Sequence, residues 1–224
     1  MRVLLVEDNA LTGERIRSGL IEDGYAVDWV LEGRMAELAV ASERYALVLL
    51  DLGLPRKDGF AVLARLRQRD DRIPVLIIGA PDAATDRVQG LDSDVDDYPA
   101  QPFDLDELAV RARAVLRREA GRGDTVVFYG PLMLNLGTNE VFYYGRAVSV
   151  TAREFNLLHA LFERPGVALS RADLEDRLFG WGGEATSDAV EKLVRSLRRK
   201  FGSGFIRHIR GVGYTIGRIE AAAV

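Results

Sequence analysis

Three acids carry the clearest chemistry in this sequence: Glu7, Asp8 and Asp51. Asp51 ends a continuous apolar run at 46–50, Ala-Leu-Val-Leu-Leu, and Glu7-Asp8 end another at 3–6, Val-Leu-Leu-Val. Such runs are the pattern of strands buried on both faces of a sheet. A carboxylate at the carboxyl end of a buried parallel strand is costly without a use, and that end is where open α/β sheets hold ligands. A lone strand-ending Asp reads as well as a turn cap. Three acids on neighbouring strand ends repel unless something neutralises them. Mg2+ suits that task, because it takes oxygen ligands and accepts a few carboxylates together with water and phosphate.

The elements that must position these acids follow in order. Residues 2–6 read as a strand and the stretch to about 23 as a helix, with Gly24 as its C′ residue. Residues 25–31 are a strand, about 33–43 a helix, and 46–51 the central strand. Leu54-Pro-Arg-Lys-Asp-Gly59 is turn chemistry, with Asp58 capping a helix that runs to about 69. Residues 73–78 make a fourth strand, 83–91 a helix, 98–100 a short fifth strand, and 104–119 an amphipathic helix. This alternation predicts a doubly wound, five-stranded parallel sheet covered on both faces, with right-handed crossovers.

Residues 1–119 resemble the receiver domain of two-component response regulators, a flavodoxin-like fold. The resemblance rests on Leu5-Val-Glu-Asp8, Leu50-Asp-Leu-Gly-Leu-Pro55, Asp58-Gly59, Pro74-Val-Leu76, Gly90-Leu-Asp92, Asp96-Asp-Tyr98 and Pro102-Phe103. It implies that Asp51 is the phosphoacceptor, and that Glu7, Asp8, Asp51 and the backbone carbonyl of Gly53 hold Mg2+. The chemistry is consistent: a carboxylate attacks a phosphoryl donor and becomes an acyl phosphate while a metal neutralises the equatorial oxygens. The switch positions depart from the family. Gly79 stands where a Thr or Ser is usual, and Gln101 where a Lys is usual before Pro102. With Tyr98 they form a degenerate switch. A glycine has no hydroxyl to follow a phosphoryl group, and a Gln brings no charge, whereas charge-assisted hydrogen bonds are roughly twice as strong as neutral ones. Pro99 also removes a donor from the fifth strand. The expectation is a receiver in which phosphorylation of Asp51 is slow or weakly coupled to output. The resemblance further implies a cis Gln101–Pro102 bond.

Arg87, Asp96, Asp97, Glu107, Arg111 and Arg118 match the charged set through which OmpR/PhoB regulators pair symmetrically, so a homodimer through the receiver is expected. Residues 120–124, charged and Gly-containing, read as a linker. From 126 the period changes to strand: 126–128, 132–136, 140–144 and 147–150 make a small antiparallel sheet. Thr151-Ala-Arg-Glu154 is a capping box opening a helix whose core face is Phe155, Leu158 and Leu161 or Phe162. Ser170 caps a second helix at about 171–179, and a third spans about 187–201. Segments 205–210 and 214–218 flank Gly211-Val-Gly213 as a hairpin. On the third helix Val190, Val194, Leu197 and Phe201 form the buried stripe, and Arg195, Arg198, Arg199 and Lys200 form a cationic ridge of the size that fits a major groove.

Residues 125–224 thus read as an α+β winged helix-turn-helix domain. They resemble the effector of the OmpR/PhoB subfamily through Thr151-Ala-Arg-Glu-Phe-Asn-Leu-Leu158, Arg195-Ser-Leu-Arg-Arg-Lys-Phe201 and Ile209-Arg-Gly-Val-Gly-Tyr214. The resemblance implies that the third helix is the recognition helix and that Arg210 on the wing reaches a minor groove. Arg195 and Ser196 are the expected base contacts; Arg198, Arg199 and Lys200 are expected on phosphates. Lys192 and Leu193 reverse the subfamily's usual aliphatic-then-polar order, so site preference need not follow relatives.

Composition agrees with a two-domain regulator. The chain has 224 residues, no cysteine and a net charge of −4. Residues 1–123 carry 17 basic and 23 acidic side chains, a balance of −6, and residues 124–224 carry 13 and 11, a balance of +2. Within 190–218 eight Lys/Arg face one acid, Glu191. An acidic domain joined to one with a basic face points to nucleic acid. Without cysteines there is no disulfide scaffold or thiolate metal site, which suits a reducing cytoplasm. The first apolar run is too short for a signal peptide, and no stretch has the length of a membrane span. The expected partners are double-stranded DNA with repeated half-sites, a second copy of the chain and a sensor histidine kinase. A fully kinase-controlled regulator is the alternative; an Mg-dependent phosphohydrolase is the remote one, since it lacks a separate general acid and leaves the basic half unexplained.

Overall fold

In a computed structural model, the described residues are 1–54, 59–68, 73–78, 95–97, 104–120, 126–181 and 188–217. The chain divides into two units, Met1–Glu119 and Ala120–Val224.

The first unit is a parallel sheet wrapped by helices. Strands β1 (Arg2–Val6), β2 (Ala26–Val30), β3 (Leu47–Leu50) and β4 (Val75–Ile77) lie in the order β2-β1-β3-β4. Every residue of β1, β3 and β4 is buried, as the apolar runs require. Helix α1 (Ala10–Glu22) is capped by the Asn9 side chain, which accepts from the N–H groups of Leu11 and Thr12. It ends on Gly24 at φ 88°, with the Gly24 N–H donating to Ile21 O and the Tyr25 N–H to Leu20 O, a Schellman termination. Helix α2 (Gly33–Ser42) and α3 (Gly59–Gln68) pack on one face against Val48, Leu50, Val75 and Ile77. Helix α1 and α4 (Leu105–Ala120) cover the other, where Ile16, Leu20, Leu108, Ala112 and Val115 meet Val3, Leu5, Leu47 and Leu49. The expected fifth strand at 98–100 and the helix at 83–91 lie outside the described residues. Among the described residues, Asp97 forms a parallel bridge with Leu76 of β4.

The second unit begins with an antiparallel sheet, β5 (Val126–Tyr129), β6 (Leu132–Asn135), β7 (Glu140–Tyr143) and β8 (Arg146–Ala147). The last strand is shorter than 147–150 and starts one residue earlier. Tyr144 (φ 50°) and Gly145 (φ 73°) form a two-residue turn with both φ positive, the hairpin turn that matches strand twist. Placing an aromatic there is the unusual choice that hid the register. Three helices follow: α5 (Ala152–Phe162), α6 (Arg171–Phe179) and α7 (Ala189–Phe201). Thr151 and Ser170 both close capping boxes. Val190, Val194, Leu197 and Phe201 are buried on α7, and Phe155, Leu158, Leu161 and Phe162 on α5. The hairpin of β9 (Ile206–Ile209) and β10 (Gly213–Ile216) completes the winged helix. Gly213 is obligatory, because a Cβ there would collide with the Leu169 carbonyl, the partner of the Tyr214 bridge.

Candidate functional site

The acids meet where the strand ends place them. The Asp51 N–H donates to Val6 O at 2.9 Å and the Glu7 N–H to Val30 O at 3.1 Å, so the sheet ladder itself fixes the backbones of β1 and β3 at this edge. Carboxylate oxygens of Glu7, Asp8 and Asp51 lie within 4.8 Å of one another. Glu7 is buried, Asp51 half-buried and Asp8 exposed. The Asn9 N–H donates to Glu7 Oε1 at 2.9 Å, and the Gly53 N–H to Asp51 Oδ1 at 3.0 Å. Burial pushes the Glu7 carboxyl above the usual carboxylate range. The Asn9 N–H pulls it part of the way back, and Asp51 and Asp8 push it up again. Negative charge is therefore under-compensated in an oxygen-only donor set, which fits a divalent hard cation.

Two supports of this cluster were not foreseen. Trp29 Nε1 on β2 donates to Glu7 O at 2.8 Å, and the indole occupies the space where a Cβ on Gly13 of α1 would fall. Gly59, at the start of α3, lets that helix approach the main chain at Asp51 and Leu52; an added Cβ would collide with Asp51 O. A buried trio below the site was also missed. Asp28, fully buried, accepts from Arg2 Nε at 2.6 Å and Tyr45 Oη at 2.8 Å. An acid inside a strand whose partners come from two other segments gives no local signal.

Of the expected switch and pairing residues, Gly79, Arg87, Tyr98, Gln101 and Pro102 lie outside the described residues. Asp96 Oδ2 accepts the Val75 N–H at 2.8 Å and faces Arg67 at 3.4 Å, so it also tethers the edge of β4. The others form a network within one chain. Arg111 reaches Glu107 at 2.8 Å and Asp97 at 3.2 Å; Arg118 reaches Asp97 at 3.8 Å and donates to Asp96 O at 3.0 Å.

In the second unit Arg195, Arg199, Lys200 and Arg210 are exposed, on α7 and at the end of β9. Lys200, Ser196 and Arg198 also have partners within the chain. Lys200 Nζ donates to Glu154 Oε2 at 2.6 Å and to Ser149 O at 2.8 Å. The Ser196 hydroxyl bonds the same Glu154 carboxylate and accepts from Arg199 at 3.4 Å. Arg198 Nε donates to Ile206 O at 3.0 Å, tying α7 to the first wing strand. Each of these groups thus has a partner within the free chain; Ser196 and Arg198 are half-buried and Lys200 is exposed. Burial pushes the Glu154 carboxyl up, but Lys200, the Thr151 N–H and Ser196 more than offset it, and it titrates below the usual range. At the reversed positions, Lys192 is exposed and pairs with Asp188 at 2.9 Å, and Leu193 is half-buried. His208 packs its ring on Tyr214 at 4.9 Å.

A basic helix beside a wing, joined to a strand-end acid cluster, defines a phosphoreceiver-type signalling protein with a DNA-binding output. Comparison with known proteins agrees over both units. Residues 3–113 match the family described as response regulator receiver domain, and residues 145–216 that described as transcriptional regulatory protein, C terminal. The chain is 46% identical over 216 residues to the response regulator protein PmrA of Pseudomonas aeruginosa, covering 96% of this chain and 98% of that one. It is 42% identical to the transcriptional regulatory protein QseB of Escherichia coli O157:H7 (97% and 99% covered) and 39% identical to BasR of E. coli K12 (96% and 97%). Among solved structures, a family of streptococcal redox sensors evolved from two-component response regulators superposes with a TM-score of 0.51 at 22% identity, over 97% of this chain and 99% of that one. A CheY-like receiver from Methanospirillum hungatei gives 0.51 at 20%, over 55% and 98%; both show the fold alone. The chain belongs to the response regulators of the OmpR/PhoB type: a receiver followed by a winged-helix transcription factor domain. It is a transcription regulator and not an enzyme, which removes the phosphohydrolase reading. No described helix is long and apolar enough to cross a membrane.

Proposed function

We propose that this response regulator binds double-stranded DNA with repeated half-sites as a homodimer in the cytoplasm, and that its DNA binding depends weakly or not at all on phosphorylation of Asp51. The observation that carries the first part is α7: its apolar stripe is buried while Arg195 and Arg199 face outward beside a wing bearing Arg210. Arg195 is the base-reading candidate, Arg198 and Arg199 the phosphate contacts and Arg210 the minor-groove contact.

The receiver keeps the acceptor. Asp51 offers a half-buried carboxylate to a phosphoryl donor such as a sensor histidine kinase, and the Gly53 N–H orients it. Glu7, Asp8, Asp51 and the Gly53 carbonyl would hold Mg2+, which when bound supplies positive charge to the phosphoryl oxygens. The weak coupling rests on sequence: Gly79 has no hydroxyl and Gln101 no charge with which to follow the phosphoryl group. The homodimer rests on Arg87, Asp96, Asp97, Glu107, Arg111 and Arg118. Exposed pairs of this kind set register more than affinity.

Intact mass after incubation with Mg2+ and acetyl phosphate tests the acceptor, with Asp51→Asn alongside. A phosphoryl increment in the native chain alone is expected. Its absence contradicts the acceptor role; its appearance in both chains moves the site elsewhere.

A further inference from the structure

The cations of the recognition helix do not all have the same surroundings. Arg195, Ser196, Arg198, Arg199 and Lys200 fall within two turns. Phosphate contacts hold register but read no sequence, so a helix with all of these on phosphates would bind any duplex. The structure divides them. Residues 196 and 200 are one turn apart on one stripe of α7, and 195 and 199 on the adjacent stripe. The 196/200 stripe is gripped from outside the helix by a single carboxylate, Glu154 of α5, only 3% exposed. It takes Lys200 Nζ at 2.6 Å and the Ser196 hydroxyl. Glu154 is itself immobilised: its Oε2 accepts the Thr151 N–H at 2.7 Å, and its own N–H donates to Thr151 Oγ1 at 3.2 Å.

We propose that Glu154 is a specificity-determining positioning residue: its buried carboxylate holds the heads of Lys200 and Ser196 back from the DNA and fixes the roll of α7, so that Arg195 and Arg199 lead into the groove. The inference rests on the DNA-binding reading above. It gives a capping-box acid a second task in another element. The anchor is rigid because Phe155 and Leu158, beside it on α5, are in the core. The carboxylate end of the pair is buried, so Glu154 is held by its partners while Lys200 keeps one side towards solvent.

The test uses the full chain, a duplex selected from a random pool by the wild-type protein, and a scrambled duplex, each titrated across a NaCl series. Glu154→Gln keeps a residue able to close the capping box but removes the charge. Release of Lys200 to a phosphate should tighten scrambled-duplex binding, steepen its log-log salt slope by about one and lower discrimination about five-fold or more. Adding Lys200→Gln to that variant should return the slope to the wild-type value. Lys200→Met alone should keep the wild-type slope on both duplexes. Wild-type slope and discrimination in Glu154→Gln, or a slope shallower by about one in Lys200→Met, overturns the proposal while the DNA-binding reading stands. A wild-type chain that selects no duplex overturns both.

Discussion

Glu7 and Glu154 are both buried acids, and their surroundings push them in opposite directions. Glu7 is raised by burial and by Asp51 and Asp8. Between the unfolded value of 4.5 and its higher folded value the native state binds more protons, so its contribution to stability falls as pH rises through that window. Glu154 is depressed. Its contribution is present above 4.5 and is lost as pH falls through the folded value. Metal-free Glu7→Gln should therefore melt above wild type at neutral pH and match it below 4.5, whereas Glu154→Gln should melt below wild type at neutral pH. Trp29 and Trp181, one in each unit, report the two transitions by fluorescence. Asp8→Asn should likewise raise the metal-free melting temperature by about 4 °C, the effect of ~1 kcal/mol on a domain of this size, and abolish stabilisation by Mg2+. Lack of either change would contradict the cluster's charge imbalance. Asp51, Glu7 and Asp8 were legible in sequence because each ends an apolar run. The partners of Lys200 and Asp96 within the chain were not legible, because Glu154 and the Val75 N–H lie 46 and 21 residues away; a one-dimensional pattern shows a charge but not what neutralises it.

Elements meet the acid cluster through missing side chains. Gly13 admits the Trp29 indole that holds Glu7 O, and Gly59 admits α3 to the main chain at Asp51. Gly59→Ala should cost about 1–3 kcal/mol, the usual cost of overpacking a fitted site, read as a lower urea midpoint of the receiver transition. Gly13→Ala should weaken Mg2+ binding about 10-fold, as loss of a supporting contact behind a ligand does, read by calorimetric titration. Unchanged affinity would show that Trp29 supports only the fold. Helices and strands of the second unit followed the sequence closely where caps and stripes were strong: the boxes at Thr151 and Ser170 and the four buried residues of α7. Strand β8 did not, because Tyr144 takes a backbone conformation that sequence assigns to Gly or Asn. On α7, Arg199→Ala should lower the salt slope by about one with equal loss on all duplexes, and Arg195→Ala should cost about 1–3 kcal/mol on the selected duplex alone.

At the scale of the molecule, a receiver unit of balance −7 is tied to an effector unit of balance +3, and the family of both was legible from motifs that each serve a physical need: acids at strand ends, a glycine under α3, a basic helix and a glycine-hinged wing. The reduced switch at Gly79 and Gln101 sets this chain's expected behaviour apart from a receiver that gates its output by phosphorylation. Full-length affinity for the selected duplex, measured at one fixed salt concentration with and without Mg2+ and acetyl phosphate and repeated with Asp51→Asn, tests that expectation most directly. Equal affinities within a few-fold are expected in all arms. A gain of about tenfold or more, ~1.4 kcal/mol, seen on phosphorylation of the native chain and absent from Asp51→Asn, would contradict it and make Asp51 the controlling switch.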